Sequence, residues 1–467
     1  MARMGLPCRP LATGGTPILL GLARGAALWY NGAMKILSNL SRRSFLTRAG
    51  GAVALPWLVP ASALGLDGKV APSNRIVMGA IGLGGRGTGD LRSWVLPEKD
   101  VQFVAICDVR KERRDAIKDI VDKHYGTKDC AQYIDMKELL ARKDIDAILT
   151  ATGDRWHAGV SITAMRAGKD VYTEKPASMT VREGQAVVAT AAKYKRVYQA
   201  GMQRLSEPNF VVCNELVRLG RLGEVKTVYA HLAPGGDVNR ARQWLPAEPE
   251  PPREEVDWDA WLGPCAWRPY NKAYLHGAWH RDHDLYTGII GEWGSHTFAQ
   301  CHDALGMEGS SPVFYPCLNT PVPDGMRMRF ANGVEMVAVQ CGWRGTCGVR
   351  YVGSEGWVSC ADGYTMPEAS RPSLLADYQK ILADYCVRTG YTGQNHLRQF
   401  LNSVKTRAKT VANPVMMHRS MTTVHCANIA QWLGRDMTWN PVKEEFVNDP
   451  EANRMLSRAQ REGWQII

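Results

Sequence analysis

Glycines 82, 84 and 87 stand in G-x-G-x-x-G order at the end of the apolar run 75–81. That spacing suits the holding of a diphosphate. The first glycine permits a tight turn, the second lets backbone approach the phosphates, and the third lets the next helix pack close to the strand. Gly85 and Arg86 would open that helix, whose positive end points at the ligand. In a chain with 45 glycines the motif alone is weak. A second apolar run, Val101–Cys107, ends at Asp108, 21 residues past Gly87. That is the place of a carboxylate that takes an adenosine ribose diol. Such a carboxylate favours NAD because it repels a 2′-phosphate. Arg110 and Lys111 follow closely enough to accommodate that phosphate, so NADP stays open.

These residues need a frame, and the following chain supplies an alternating one. A charged helical stretch (111–123), a short strand (131–134), a helix (136–142), a strand (145–152), a helix (158–167) and the strand Asp170–Thr173 come in turn. Strands alternating with helices at this length predict an α/β doubly wound parallel sheet with helices on both faces. We assign it to residues 66–203, after a leader over 1–65. An α+β domain over 204–467 then begins with the strand Val225–His231. Runs at 326–330, 334–341, 348–352 and 356–360, with Ala331-Asn332-Gly333 as a hairpin turn, predict a large open mixed or antiparallel sheet. Apolar spacing over 397–433 predicts a helix covering it.

Seven aromatics (Trp258, Trp261, Trp267, Tyr270, Tyr274, Trp279 and Tyr286) crowd residues 256–286. Indole and phenol rings offer apolar faces to sugar C–H groups and polar edges to hydroxyls, so Trp258, Tyr274, Trp279 and the adjacent His276 are candidate carbohydrate contacts. About half of such rings are expected to pack the core instead. The stretch His280-Arg281-Asp282-His283-Asp284 has metal-ligating residue types. Nothing in its spacing demands an ion, and a hydrogen-bonded polar loop is the preferred reading.

Glu174-Lys175-Pro176 directly after a strand, one domain-length beyond the glycine turn, resembles the Gfo/Idh/MocA family of glucose–fructose oxidoreductase and inositol dehydrogenase. The likeness extends through Thr152-Gly153-Asp154-Arg155-Trp156-His157, Gly201-Met202-Gln203-Arg204, Trp258-Asp259-Ala260-Trp261-Leu262-Gly263-Pro264, Gly291-Glu292-Trp293-Gly294-Ser295-His296 and Gly353-Ser354-Glu355-Gly356-Trp357. It implies a Rossmann domain that binds NAD or NADP, hydride exchange with a sugar or polyol, and dimers or tetramers built on the open sheet face. Lys175 would reach the oxygen of the reacting carbon, where an ammonium stabilises a developing alkoxide. Pro176 keeps Lys175 out of the helical region. Thr152, Trp156, His157, Glu174 and Gln203 would stand on the cofactor side, although a core role for Trp156 is nearly as good a reading. Glu292 stands where the family has Asp, four residues before His296. On a helix these share a face, so the acid would orient and charge the imidazole that acts as general base. Gly153 and Arg155 stand where Pro and His are usual. These departures leave open a carbohydrate-binding protein without catalysis, and a cofactor reduced and reoxidised within one cycle leaves open transient oxidation with elimination and re-reduction, giving net glycoside cleavage or epimerisation.

Composition narrows the rest. The net charge of +11 suggests a polyanion partner, but residues 1–63 hold seven Lys and Arg and no acid, leaving +4 on the remainder. A basic leader therefore accounts for most of it, and no nucleic-acid partner is expected. Ser41-Arg42-Arg43-Ser44-Phe45-Leu46, the apolar stretch 49–60 and Ala61-Ser62-Ala63 have the parts of a twin-arginine signal in order, which predicts export. Met34-Lys35-Ile36 would make a compact beginning for that signal. Free NAD is scarce outside the cytoplasm, so a tightly held cofactor is expected. No apolar run reaches the roughly 18 residues that span a bilayer, and no membrane insertion is expected. The 12 cysteines show no metal or disulfide spacing, and most read as buried thiols.

Overall fold

Residues 76–83 are Ile, Val, Met, Ala and Leu apart from two glycines. Buried at six of eight positions, they form the strand β1 (Ile76–Leu83). A strand buried on both faces needs parallel neighbours and helices on either side. The computed structural model, which describes residues 70–232, 244–317, 325–340, 342–391 and 395–467, supplies both. β1 pairs in parallel with β2 (Val101–Cys107) and β4 (Ala147–Ala151). β3 (Ala131–Tyr133), β5 (Asp170–Thr173) and β6 (Tyr198–Ala200) complete a six-stranded sheet in the order β3-β2-β1-β4-β5-β6. The order reverses between β1 and β4, and ligands of such sheets bind in the crevice outside the carboxyl ends at that point. The helix α1 (Gly85–Asp90) follows β1, and α2 (Lys111–Tyr125), α3 (Met136–Leu140), α4 (Asp154–Arg166) and α5 (Val181–Tyr194) follow β2 to β5.

After α6 (Pro208–Arg218) the chain builds a nine-stranded mixed sheet. Its first strand, β7 (Val225–His231), lies parallel to β10 (Glu335–Val339) and antiparallel to β11 (Val349–Gly353). β9 (Met326–Arg329) turns into β10 through Asn332 and Gly333, the latter at φ +85°. Val228, Met336 and Tyr351 are fully buried on one face, beneath α6 and the helix α9 (Gly288–Ala304). Two short helices, α7 (Trp258–Leu262) and α8 (Lys272–Leu275), precede α9.

The helix expected over 397–433 is two helices. After α10 (Tyr378–Thr389), α11 (His396–Thr406) ends at Arg407, which adopts φ +61°, and α12 (Pro414–Leu433) restarts with Asn413 accepting from the amides of Val415 and Met416. α11 does not lie on the second sheet, and α12 meets that sheet at its strand β8 (Phe314–Tyr315). α11 returns to the first one: Leu397, Phe400 and Leu401 join Phe103 and Tyr172 in its core, and Arg398 pairs with Glu98 and Asp100. α12 wedges between α5 and α9 and is buried on every side, as a helix enclosed by protein must be. Its polar side chains are tied internally, His418 to Glu444 at 2.8 Å and His425 to Ser178 at 3.1 Å. Residues 73–467 form one compact unit. Eight of the described cysteines are buried free thiols. No helix among the described residues is long and apolar enough to cross a membrane. The stretch expected to be a leader, including Arg42-Arg43 and Met34, lies outside the described residues.

Candidate active site

At the switch point the glycine turn has the shape that a diphosphate requires. Gly82 adopts φ +67°, and a Cβ there would lie 2.2 Å from Thr152 Cγ2. A Cβ on Gly87 would lie 2.6 Å from Leu83 and 2.7 Å from Ala151, so only glycine lets α1 approach the sheet. Around Gly84 and Gly85 a Cβ would meet nothing closer than 3.8 Å, leaving bare backbone facing a cavity of about 800 Å³. Gly82, Gly84, Gly85, Asp108 and Thr152 all line that cavity.

Asp108 is buried where β2 ends. Its Oδ2 accepts from the Leu83 amide at 3.2 Å and its Oδ1 from the Arg110 amide at 2.9 Å. Burial pushes its carboxyl up, against the pull of those amides. The cations beside it are committed elsewhere. The Arg110 guanidinium donates to the Leu275 carbonyl at 2.8 Å and to Glu112, while Lys111 pairs with Asp115 at 2.6 Å. A dinucleotide fits these residues, and the acid on the ribose side suits NAD.

Glu174, Arg86 and Gln203 do not face this cavity. The Glu174 carboxylate is buried, taking Gln203 Nε2 at 2.6 Å and Arg86 Nε at 3.4 Å. Arg86 also reaches Asp90 at 3.1 Å and lies over the Trp94 ring. Burial and the Glu174 charge push Asp90 up to about 8, so this acid pair keeps one proton at neutral pH. The cluster therefore braces the strand end that presents Lys175. Asp90 was not a sequence candidate, although its place four residues after Arg86 on a helix was readable. His157 belongs to the same bracing: its Nδ1–H donates to the Pro176 carbonyl at 2.7 Å, and burial keeps it neutral. Trp156 is largely a packing residue, donating to the Ala260 carbonyl at 2.9 Å with its ring edge-on to Trp464, though it lines the cavity.

Lys175 points at α9, where its Nζ donates to the Glu292 carbonyl at 3.1 Å. Glu292 and His296 lie one turn apart on that helix, but the expected contact between them is not made. The Glu292 carboxylate takes the Tyr286 hydroxyl instead. His296 is buried, and its Nδ1 has no partner among the described residues. Burial first, then the positive charges of Lys175, Arg204 and Arg86, hold its imidazole well below the ordinary 6.5. His296 is thus neutral and able to accept a proton, without an acid to charge it. Tyr286 is the functional group that sequence reasoning passed over; it was counted only among the aromatics.

The four proposed substrate contacts separate. Trp258 and Tyr274 are buried in a small core cluster, with the Trp258 and Trp261 rings stacked at 4.6 Å. The Trp258 indole donates to the Arg268 carbonyl and the Tyr274 hydroxyl accepts from the Leu245 amide. They form a wall of the cavity rather than an open sugar platform. His276 is exposed and lies outside the cavity lining. Trp279 does line it, half-buried, with its ring stacked 3.7 Å from His280 and edge-on to Tyr286. In the loop 280–284, Asp282 pairs with the fully buried Arg268, whose other arm lies 3.4 Å from Asp284. Among the described residues no group of three potential ligands could hold a metal.

Comparison with known proteins agrees with this geometry. A model described as an oxidoreductase family with an NAD-binding Rossmann fold matches residues 76–202, and that family's C-terminal alpha/beta domain matches 238–321 and 373–466. A glycosyl hydrolase family 109 protein of Shewanella baltica is 30% identical over 219 residues, which is 42% of this chain and 47% of that protein. Inositol 2-dehydrogenase of Salmonella typhimurium is 28% identical over 152 residues, 32% of this chain and 44% of that enzyme. The chain thus spans about half the length of the curated relatives it matches. Among solved structures, myo-inositol 2-dehydrogenase from Lactobacillus plantarum superposes with a TM-score of 0.54 at 16% identity, over 78% of this chain and 99% of that one. GenD2 from gentamicin A biosynthesis, solved with NAD, gives 0.54 at 16% identity over 80% and 98%. Both likenesses are of fold.

Proposed function

The chain belongs to the Gfo/Idh/MocA oxidoreductase family, and we propose that it exchanges hydride between a sugar, polyol or glycoside carbon and NAD. The observation that carries this reading is the placement of Lys175, just past the end of β5, against α9 and one turn from a buried neutral imidazole. Bound in the cavity, NAD supplies a hydride acceptor or donor. The chain's own residues do the remainder. The Lys175 ammonium hydrogen-bonds the substrate oxygen and stabilises its developing charge. His296 takes the hydroxyl proton. The Tyr286–Glu292 pair fixes the helix face between them, and Trp279 offers a ring to the sugar at the open side.

Mass spectrometry of nucleotide released from purified protein, coupled to a sugar screen at the reduced-nicotinamide absorbance band, tests the reading. NAD release or uptake with a sugar-dependent absorbance change is the expected result. Folded protein that neither carries nor takes up NAD or NADP sinks it.

A second reading, redox-neutral glycoside cleavage or epimerisation through a transient ketone, is favoured by the relatives named glycosyl hydrolase family 109 proteins. The Glu292 carboxylate, turned to Tyr286 and away from His296, is a further acid–base group for that elimination. Solvent deuterium entering beside the oxidised carbon without net NADH release distinguishes it. The same proposal includes export through the twin-arginine signal around Arg42 and Arg43 from a start at Met34, a tightly retained cofactor, and a homodimer or homotetramer on the open sheet face. The ordered basic, apolar and small-residue segments of the leader support the first of these.

A further inference from the structure

Arg155 is a buried cation without an anion. It is 4% exposed, and its Nε donates to the Trp261 carbonyl at 2.8 Å. Its guanidinium lies over the Trp261 ring, 3.6 Å from the centroid. No carboxylate pairs with it among the described residues, and its Nη atoms make no hydrogen bond there. The acid next to it in sequence, Asp154, is used up by the amide and hydroxyl of Thr287, at 3.0 and 2.8 Å. The neighbouring Arg268 and Arg458 each have an acid of their own, Asp282 and Glu183. Burial pulls the Arg155 guanidinium down to about 10, opposed in part by Cys265 and Asp154 and helped by Arg458 and Arg268. An uncompensated buried charge is expensive, and proteins retain one where a ligand completes it.

The surroundings say where that ligand lies. Arg155 lines the same cavity as Gly82, Gly84 and Gly85. It sits in the first turn of α4, a helix whose N-cap, Gly153, has no side chain to cap its amides. Thr152, next to Gly153, touches the glycine turn. The space for the guanidinium exists because residue 153 has no side chain: a Cβ there would lie 2.2 Å from Arg155 Nη1. Gly153 and Arg155 therefore work as a pair.

The geometry points to Arg155 and the uncapped start of α4 as a second phosphate-binding element, which grips the dinucleotide's diphosphate beside the glycine turn. This rests on the dinucleotide reading above and adds a residue to it. A planar guanidinium held over an indole and by a carbonyl at Nε keeps its two Nη groups for two-point contact with phosphate oxygens. A flexible lysine at the same place would not.

Calorimetric titration with ADP-ribose and with adenosine, which lacks phosphate, tests the assignment on wild type, Arg155→Gln and Gly153→Ala. Wild type should bind both. Arg155→Gln should weaken ADP-ribose by about 10- to 100-fold, the range of a charge-assisted hydrogen bond, and leave adenosine unchanged. Gly153→Ala keeps the charge but displaces the guanidinium, and should lose ADP-ribose affinity in the same direction. The ligand-free melting temperature separates binding from support. Removing an unpaired buried charge should leave it level or raise it, whereas a merely structural arginine would lower it. ADP-ribose affinity within twofold of wild type in both variants overturns the inference while the dinucleotide reading stands. Wild type that binds neither ADP-ribose nor NAD removes both.

Discussion

In the proposed reaction Lys175 and His296 divide the work at the reacting carbon, and each can be tested alone. Replacing Lys175 by Ala removes the only ammonium directed at α9 in the described site, but it touches neither the glycine turn nor Asp108. Turnover should fall by at least about 100-fold, with NAD affinity and melting temperature unchanged; retained turnover would show that another group handles the oxygen. His296 sets the acid side of the rate profile. Its imidazole is held well below the ordinary 6.5, so the neutral base is fully present above that value and is lost only as pH falls through the lowered one. The acid limb of kcat/KM should therefore lie below pH 6.5, and a limb at 7 or above would mean that a group other than a neutral His296 is titrating. Spacing alone put Glu292 and His296 on one face of a helix, and that much is so. Which partner the Glu292 carboxylate takes depends on Tyr286, six residues earlier and outside the helix, and no periodicity carries that information.

Among the elements, those specified by local sequence were the most legible. β1, the glycine turn, β2 and Asp108 follow from apolar runs and from the φ that only glycine accepts readily. Helix breaks are equally local: Asn413-Pro414 is a cap followed by a first-turn proline, and it marks the restart inside the 397–433 stretch. Asn413→Ala leaves the Val415 and Met416 amides without their acceptor and should lower stability by about 1 kcal/mol, read as a shift of the urea midpoint at constant slope. A change below a few tenths would show the cap to be dispensable. What local pattern does not give is the docking partner. Leu397, Phe400 and Leu401 have the spacing of a buried helical face, but the spacing is the same whichever sheet receives it. Likewise the count of aromatics over 256–286 foretold a cluster and not which rings would be wall. Trp258 disappears beneath Trp261 and Tyr274, while Trp279 stays at the opening.

For the molecule as a whole, the two sheets and their order were readable because alternation of strands and helices admits few topologies. The joining of the halves was not, since α12 mixes polar and apolar residues all round and gives no face to orient. That joining buries several imidazoles. His157, His296, His302, His396 and His425 are each at most 5% exposed. Burial holds all of them below the ordinary 6.5, His302 and His396 down to about 4 and His425 to about 3. An unravelled chain titrates these rings near 6.5, whereas the native one refuses the protons until far lower. Acidification through that window thus rewards unfolding, by about 1.4 kcal/mol per pH unit for each ring. Against a total stability of roughly 5–15 kcal/mol, five rings suffice to melt the protein within a few units. Circular-dichroism melts should show Tm flat above pH 7 and falling steeply from 6.5 towards 4.5; a level Tm across that span would mean the rings are hydrated rather than enclosed. The same enclosure that keeps His296 neutral sets an acid boundary on the environments in which this protein survives.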